Sequence, residues 1–236
     1  MRKCVLVIGG SGKMGQAILR DLLNQGELVV ATYNRRIIPA HENLITKKVD
    51  VRSMESLIDL ANYIQAKEYS VSKIVYNSGI TKDSPIYCME ESDFKDVIDV
   101  NLYGFFRVCK IFLQDVALNQ GTVVSISSIA ALVGSRGQGN YACSKAALIA
   151  FTRSIASEYA KLGVRANCVI SGWIESTMTE NFPIEKKESI QKSVPLRRYG
   201  QPEEVSAVVT FLLSDKSSYL TGQSIIVDGG VTNLRT

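Results

Sequence analysis

Along the chain, short blocks of aliphatic and β-branched residues alternate with longer segments whose apolar positions recur every three or four residues. The short blocks lie at 3–8, 27–33, 44–51, 73–76, 122–126 (running on to Ser128), 164–170 and 224–228. Most are nearly continuous apolar runs of strand length, the pattern of parallel strands covered on both faces. Helical spacing predicts helices over 16–23, 53–67, 91–120, 140–162 and 202–213. Gly26 is placed to stop the first, Ser53 to Ser56 reads as a capping box opening the second, and Pro202 suits the first position of the last. The segment Val100 to Gly104 interrupts the third and predicts a kink or a freed backbone carbonyl. Strand and helix alternate with no repeat, linker or low-complexity stretch, so the expected architecture is α/β: a parallel sheet with helices on both faces and right-handed crossovers.

Two segments depart from this regular pattern. The helix over 140–162 is apolar on nearly every side. One side can pack on the sheet and the other calls for a second subunit, which predicts a homo-oligomer. The stretch 173–198 is polar and of mixed character, and reads as a mobile flap.

The first strand runs directly into Gly9-Gly10-Ser11-Gly12-Lys13-Met14-Gly15 and then into a helix. Glycines at 9, 12 and 15 allow a tight turn, close approach of a pyrophosphate, and packing of helix on strand. The helix N-terminus offers N–H groups and a positive dipole end to phosphates. This strand–turn–helix context predicts a Rossmann-type dinucleotide site and a single doubly wound domain over 1–236, with seven strands. The second strand ends in Thr32-Tyr33-Asn34-Arg35-Arg36, without the acidic residue that would bond a ribose 2′-hydroxyl and repel a 2′-phosphate. Arg35 and Arg36 suit a phosphate, with Lys13 adding to them. NADPH/NADP+ is therefore expected over NADH.

The chemistry is expected between 127 and 145. Tyr141 and Lys145, four residues apart, share one helix face. An ammonium near a phenol favours the phenolate, and a free tyrosine, with a pKa of about 10, needs such help to exchange a proton near neutrality. Ser128, 13 residues before Tyr141 at a strand end, can aim a hydroxyl at the same point. Three side chains arranged this way suit proton transfer to a carbonyl oxygen.

Composition narrows the classes. The chain has 236 residues, 46% of them hydrophobic, enough for one large α/β core. A formal charge of +4 with no dense basic run gives no indication of nucleic acid. Five dispersed cysteines without a C-x-x-C pair argue against disulfides and against zinc, and His41 is the only histidine, so no metal site is expected. No apolar run reaches the 18 residues of a membrane span, and no signal-peptide pattern opens the chain. A soluble cytoplasmic protein is expected.

Taken together, the stretch Tyr76-Asn77-Ser78-Gly79-Ile80-Thr81-Lys82-Asp83, the segment Val97-Ile98-Asp99-Val100-Asn101-Leu102, the Ser128/Tyr141/Lys145 set, and Tyr219-Leu220-Thr221-Gly222-Gln223 before Val227-Asp228-Gly229-Gly230 resemble the short-chain dehydrogenase/reductases. The similarity runs from about 3 to 230 and is greatest to bacterial 3-oxoacyl-acyl-carrier-protein reductases. It implies that Asn101 kinks its helix and holds a water in a proton relay, that Ser128 bonds the substrate carbonyl, that Tyr141 is the acid/base, and that Lys145 lowers the tyrosine pKa and binds the nicotinamide ribose. It implies cofactor contacts at Gly9, Ser11, Gly12, Lys13, Met14, Gly15, Asn34, Arg35 and Arg36, adenine contacts at Asp50 and Val51, and support from Asn77, Ser78 and Gly79. Contacts to the nicotinamide side are implied at Gly172, Ile174 and Ser176.

It also implies an acyl carrier protein as partner, a homotetramer, and a place in fatty-acid, polyketide or polyene synthesis. Three features differ from the family pattern: glycines spaced G-x-x-G-x-x-G, Ser171-Gly172 in place of Pro-Gly, and Asn119 and Leu162 where carrier-docking basic residues are usual. Lys161, Arg165, Arg107 and Lys110 lie nearby in sequence. The readings left open are a carrier-dependent ketoreductase, a relative acting on a free ketone or alcohol, and a catalytically idle cofactor-binding regulator.

Overall fold

The apolar runs become seven strands: β1 (Arg2–Ile8), β2 (Val29–Tyr33), β3 (Leu44–Lys48), β4 (Tyr69–Tyr76), β5 (Thr122–Ser128), β6 (Arg165–Ser171) and β7 (Ser224–Val227). The computed structural model describes residues 1–176, 179–180 and 182–232. Its strands form one all-parallel sheet in the order β3-β2-β1-β4-β5-β6-β7. The chain winds outward through β1 to β3, then restarts at β4 on the other side of β1. That reversal opens a crevice at the carboxyl ends of β1 and β4, the place where ligands bind in open α/β sheets.

Helices α1 (Lys13–Asn24) and α8 (Pro202–Leu213) cover one face. Helices α2 (Met54–Ala66), α4 (Gly104–Leu118) and α6 (Gly139–Tyr159) cover the other, with α3 (Glu91–Ile98) beside α6. The period-two alternation of a strand divides β1 between the two layers: Cys4, Leu6 and Ile8 enter the core under α2, α4 and α6, and Val5 and Val7 the core under α1 and α8. Each fully buried aliphatic side chain contributes ~1.5–3 kcal/mol, and these two layers hold the fold with all five cysteines free.

Several elements differ from expectation. β4 begins four residues earlier than its apolar run, because Ser72 sits in the strand with its Oγ donating to the Cys4 carbonyl at 3.2 Å. β3 stops at Lys48, so Asp50 lies beyond the strand, where its Oδ1 accepts the Arg52 N–H at 3.0 Å. Ser53 does cap α2, accepting from Ser56 N–H, but the reciprocal arm of a capping box is missing. Ser56, not Glu55, occupies the third helical position, and its Oγ accepts from Asp50 N–H. A short helix α5 (Ala130–Val133) follows Ser128, and α7 (Ile184–Ser193) lies within the stretch expected to be a flap. Residues 177, 178 and 181 of that stretch are outside the described residues.

The interruption at 100–104 is a π-helical turn, Asp99–Tyr103, between α3 and α4. It frees the Val100 carbonyl, which accepts from the buried Tyr76 hydroxyl at 2.6 Å. Gly104 follows because a Cβ there would run into that same hydroxyl and into Val51.

Candidate active site

The glycine turn sits at the crevice. Gly9 and Gly10 N–H groups donate to the Thr32 Oγ1 and carbonyl (3.1 and 2.8 Å), which seats the end of β2 against the turn. Asn77 ties the other side: its N–H donates to Ile8 O at 2.9 Å and its Nδ2 to Gly9 O at 2.8 Å. A side chain at Gly15 would strike the Gly9 carbonyl, so the start of α1 rides directly on the turn. Nothing lies within 4 Å of a Cβ at Gly12, and α1 has neither a side-chain cap nor an acidic residue in its first turn. An open approach at Gly12 and an uncapped helix N-terminus fit a phosphate-bearing cofactor.

Around this turn, Ser11 accepts the Gln16 side chain on its carbonyl, Met14 packs against the α1/α8 core, and Ser78 lies against Gly9. Asn34, Arg35 and Arg36 are exposed on the loop after β2. Lys13 is drawn elsewhere: its Nζ pairs with Glu180 at 2.6 Å, and this ammonium holds the Glu180 carboxyl below the usual range. Asp50 is held by Arg52, whose guanidinium bonds both carboxylate oxygens at 2.7–3.2 Å and lowers its pKa. Val51 is buried next to Gly104, which joins the crevice wall to the π-turn. On the far side, Gly172 lies on Asp228 with its N–H donating to Val227 O at 2.9 Å. Ile174 is buried against Gly200, and Ser176 N–H donates to Thr179 Oγ1.

The catalytic candidates converge above β5 and β4. Ser128 ends β5, its Oγ accepting the Ala130 N–H at 3.3 Å, and its hydroxyl lies near enough to the Tyr141 phenol to act on its ionisation. Tyr141 lies in the first turn of α6, and its phenol pKa is raised by burial, a shift the nearby Ser128 hydroxyl only partly offsets. Lys145, one turn on, is buried with Nζ donating to the Ile126 carbonyl at 2.8 Å and lying 5.6 Å from the Tyr141 ring centroid. Burial lowers its pKa to about 8.

The expectation that Lys145 depresses the Tyr141 pKa is not met in this arrangement. The ammonium faces a backbone carbonyl rather than the phenol oxygen, and desolvation of the ring governs. Asn101 is fully buried in the π-turn. Its Oδ1 accepts from Ile80 N–H (2.8 Å), and its Nδ2 donates to Ile80 O (3.1 Å) and to Ser144 Oγ (2.9 Å). Gly79 completes the join: a Cβ there would stand 3.3 Å from Lys145 Nζ and 3.5 Å from Asn101 Oδ1.

A model for enoyl-(acyl carrier protein) reductases matches residues 11–232. The 3-oxoacyl-[acyl-carrier-protein] reductase of Chlamydia pneumoniae is 35% identical over 240 residues, covering 98% of this chain and 97% of its own. That of Staphylococcus aureus (strain Mu50) is 36% identical over 242 residues, covering 98% of each. The chain belongs to the short-chain dehydrogenase/reductase family. Members of this family use a nicotinamide cofactor. The crystal structure of the Cj0485 dehydrogenase, 26% identical, superposes with a TM-score of 0.92 over 99% of this chain and 96% of its own.

Sequence reasoning missed the polar residues that hold the catalytic candidates. Ser144 Oγ donates to Tyr141 O at 2.7 Å while accepting from Asn101, and Ser127 Oγ donates to Lys145 O at 2.8 Å. Position three after Tyr141 on the same helix face was the available signal for Ser144. Of the four basic residues near the carrier-docking positions, two are engaged internally. Arg165 donates to the carbonyls of Leu212 and Ser214, and Arg107 pairs with Asp99 at 2.8 Å. Lys110 and Lys161 are exposed. Among the described residues no acidic, histidine or cysteine cluster could hold a metal, and no helix is long and apolar enough to cross a membrane.

Proposed function

We propose that this chain is an NADPH-dependent ketoreductase that converts a 3-oxoacyl thioester, borne on an acyl carrier protein, to the 3-hydroxyacyl thioester. The observation that carries this reading is the placement of Ser128 at the end of β5 beside Tyr141 in the first turn of α6, with Lys145 Nζ 5.6 Å from the tyrosine ring. A ketone oxygen has two lone pairs and gains negative charge as its carbon is reduced, so two O–H groups at one point stabilise it most in the transition state. Reductases of this name cover nearly the whole chain.

A nicotinamide cofactor bound in the crevice would supply the hydride. Tyr141 donates its proton to the oxygen, and burial keeps the phenol protonated for that step. Lys145, charged below about pH 8, balances the phenolate left behind. Gly9, Ser11, Gly12, Met14 and Gly15 would hold the pyrophosphate; Arg35 and Arg36, with Asn34, the 2′-phosphate, while Lys13 is held by Glu180; Asp50 and Val51 would hold the adenine. Asn77, Ser78, Gly79, Gly172, Ile174 and Ser176 would line the nicotinamide half. Exposed Ile86 and Tyr87 stand at the start of α6, with Ile86 Cγ1 3.8 Å from where a Gly139 Cβ would be. An apolar lip there suits an acyl chain.

The engagement of Arg107 and Arg165 favours a second reading, a reductase of free ketones, because it leaves fewer cations for an acidic carrier. The deciding assay follows NADPH and NADH oxidation with a β-ketoacyl group on acyl carrier protein, the same group on a small thiol, and a panel of free ketones. Faster turnover of the carrier-bound substrate with NADPH supports the proposal. Turnover of free ketones alone supports the second reading, and cofactor binding without turnover of any ketone would point to an idle regulator.

A further inference from the structure

The first turn of α6 carries the residue on which the chemistry depends, yet it lacks a conventional cap. Gln138 stands at the N-cap position with no side-chain hydrogen bond to the turn. A helix start leaves its first N–H groups without intrahelical partners, and an uncapped start frays. Asn140, one residue before Tyr141 and fully buried, makes up the deficit from inside the helix. Its Oδ1 accepts the Tyr141 N–H at 2.7 Å, and its Nδ2 donates to the Lys82 carbonyl at 2.8 Å, 58 residues away in the chain.

The acceptor at the other end is itself fixed. Lys82 Nζ lies 2.7 Å from both Asp93 and Asp96 of α3, and the neighbouring Asp83 accepts the Gln138 side chain at 2.8 Å. Two residues earlier, Ile80 is clamped by Asn101 through both its N–H and its carbonyl. The 80–83 segment is thus held by the π-turn at one end and by the start of α6 at the other.

We propose that Asn140 is a positioning residue for Tyr141: it sets the height and direction of the tyrosine by joining the first turn of α6 to the Lys82 carbonyl. The inference rests on the reading of Tyr141 as the proton donor. Asn140 reaches the reacting atoms only through the Tyr141 backbone, so its loss should act on turnover and leave the cofactor crevice alone. A displacement near 1 Å of a reacting group costs about 100-fold in rate, so Asn140→Ala should lower kcat by ~10- to 100-fold. NADPH affinity and the KM for the ketone should change by less than about twofold, since neither ligand contact is touched. Lys82→Met, which releases the carbonyl's segment from Asp93 and Asp96, should lower kcat in the wild type but add little to Asn140→Ala, because the two act through one connection.

The test measures kcat, ketone KM and NADPH dissociation constant for Asn140→Ala, Lys82→Met, the double variant and Tyr141→Phe, with cofactor-binding sites counted by titration. If Asn140→Ala does not fold, Asn140→Asp takes its place. Aspartate keeps the acceptor for Tyr141 N–H and is an equally good residue at a helix start, but it cannot donate to Lys82. A selective fall in kcat per cofactor site, shared with Lys82→Met, supports the proposal. A kcat within twofold of wild type, a parallel fall in NADPH affinity, or independent multiplicative losses overturns it. Tyr141→Phe separates the two layers: if it is inactive while the Asn140 variants are normal, only the positioning role fails, and if it stays active, the proton-donor reading fails as well.

Discussion

A buried ammonium and a half-buried tyrosine lie one helical turn apart, and their ionisation determines when the site can work. Burial moves them in opposite senses: Lys145 down to about 8, Tyr141 up from its ordinary value. Desolvation disfavours the charged form of each, so the phenol stays protonated and the lysine loses its charge earlier than a free one. Ketone reduction should therefore decline as pH rises through about 8, where Lys145 becomes neutral. A pH–rate profile at saturating substrates checks this, and a rate that stays level through that pH contradicts it. The same shift bears on stability: the unfolded lysine binds its proton more tightly, so the cost of burying the ammonium is present below about pH 8 and is relieved as pH rises toward 10.5. Tyr141→Phe keeps the ring and removes the donor. It should lower kcat at least ~100-fold, the usual share of general acid catalysis, while NADPH binding measured by fluorescence titration stays near wild type. Lys145→Ala should impair both turnover and cofactor affinity in the same two measurements.

The π-turn between α3 and α4 decides where Asn101 stands. Glycine at 104 looks like a weak point in a helix, and glycine-to-alanine in an ordinary helix interior gains ~1 kcal/mol. Here the added Cβ would meet the Tyr76 hydroxyl and lie 2.8 Å from Val51 Cγ2. Tyr76 is fully buried and bonded to Val100 O at 2.6 Å, so it has no room to retreat. Overpacking of this kind costs ~1–3 kcal/mol, more than the propensity gain. Gly104→Ala should accordingly destabilise the protein, read as a lower denaturant midpoint, and should lower kcat by moving Asn101. The loop after β2 supplies a second element-scale expectation. Arg35 and Arg36 are exposed beside the glycine turn, and a charge-assisted hydrogen bond to phosphate is worth ~1.5–3 kcal/mol. Replacing both with alanine should raise the NADPH KM at least ~10-fold and leave NADH nearly unchanged; equal use of both cofactors by the wild type contradicts the assignment.

At the scale of the whole molecule, the outer side of α4 and α6 is the expected subunit contact. Tyr103 and Phe106 are 53% and 43% exposed, and Phe106 meets the partly buried Phe151 with ring centroids 6.3 Å apart. Contiguous exposed aromatics of this kind favour association. Light scattering should give a homo-oligomer, a tetramer by family resemblance, and Phe106→Asp should lower its mass; a wild-type monomer at micromolar concentration contradicts this.

The sheet, its seven strands and its two helical layers were legible in the chain because strand and helix periods are local, repeating every two or 3.6 residues. The glycine turn and the Ser128, Tyr141 and Lys145 set were legible for the same reason, since their spacing lies within one strand–turn–helix unit or on one helix face. What the sequence could not determine was which distant groups these side chains meet. Lys145 turns to Ile126 O, Lys13 to Glu180, Arg165 to carbonyls at the end of α8, and Asn101 and Asn140 to the same four-residue segment. Each of these is a choice among several partners of equal chemistry. Only the packing of the elements that carry them decides it, because a polar group taken from water must bond whatever acceptor or donor the fold brings within reach.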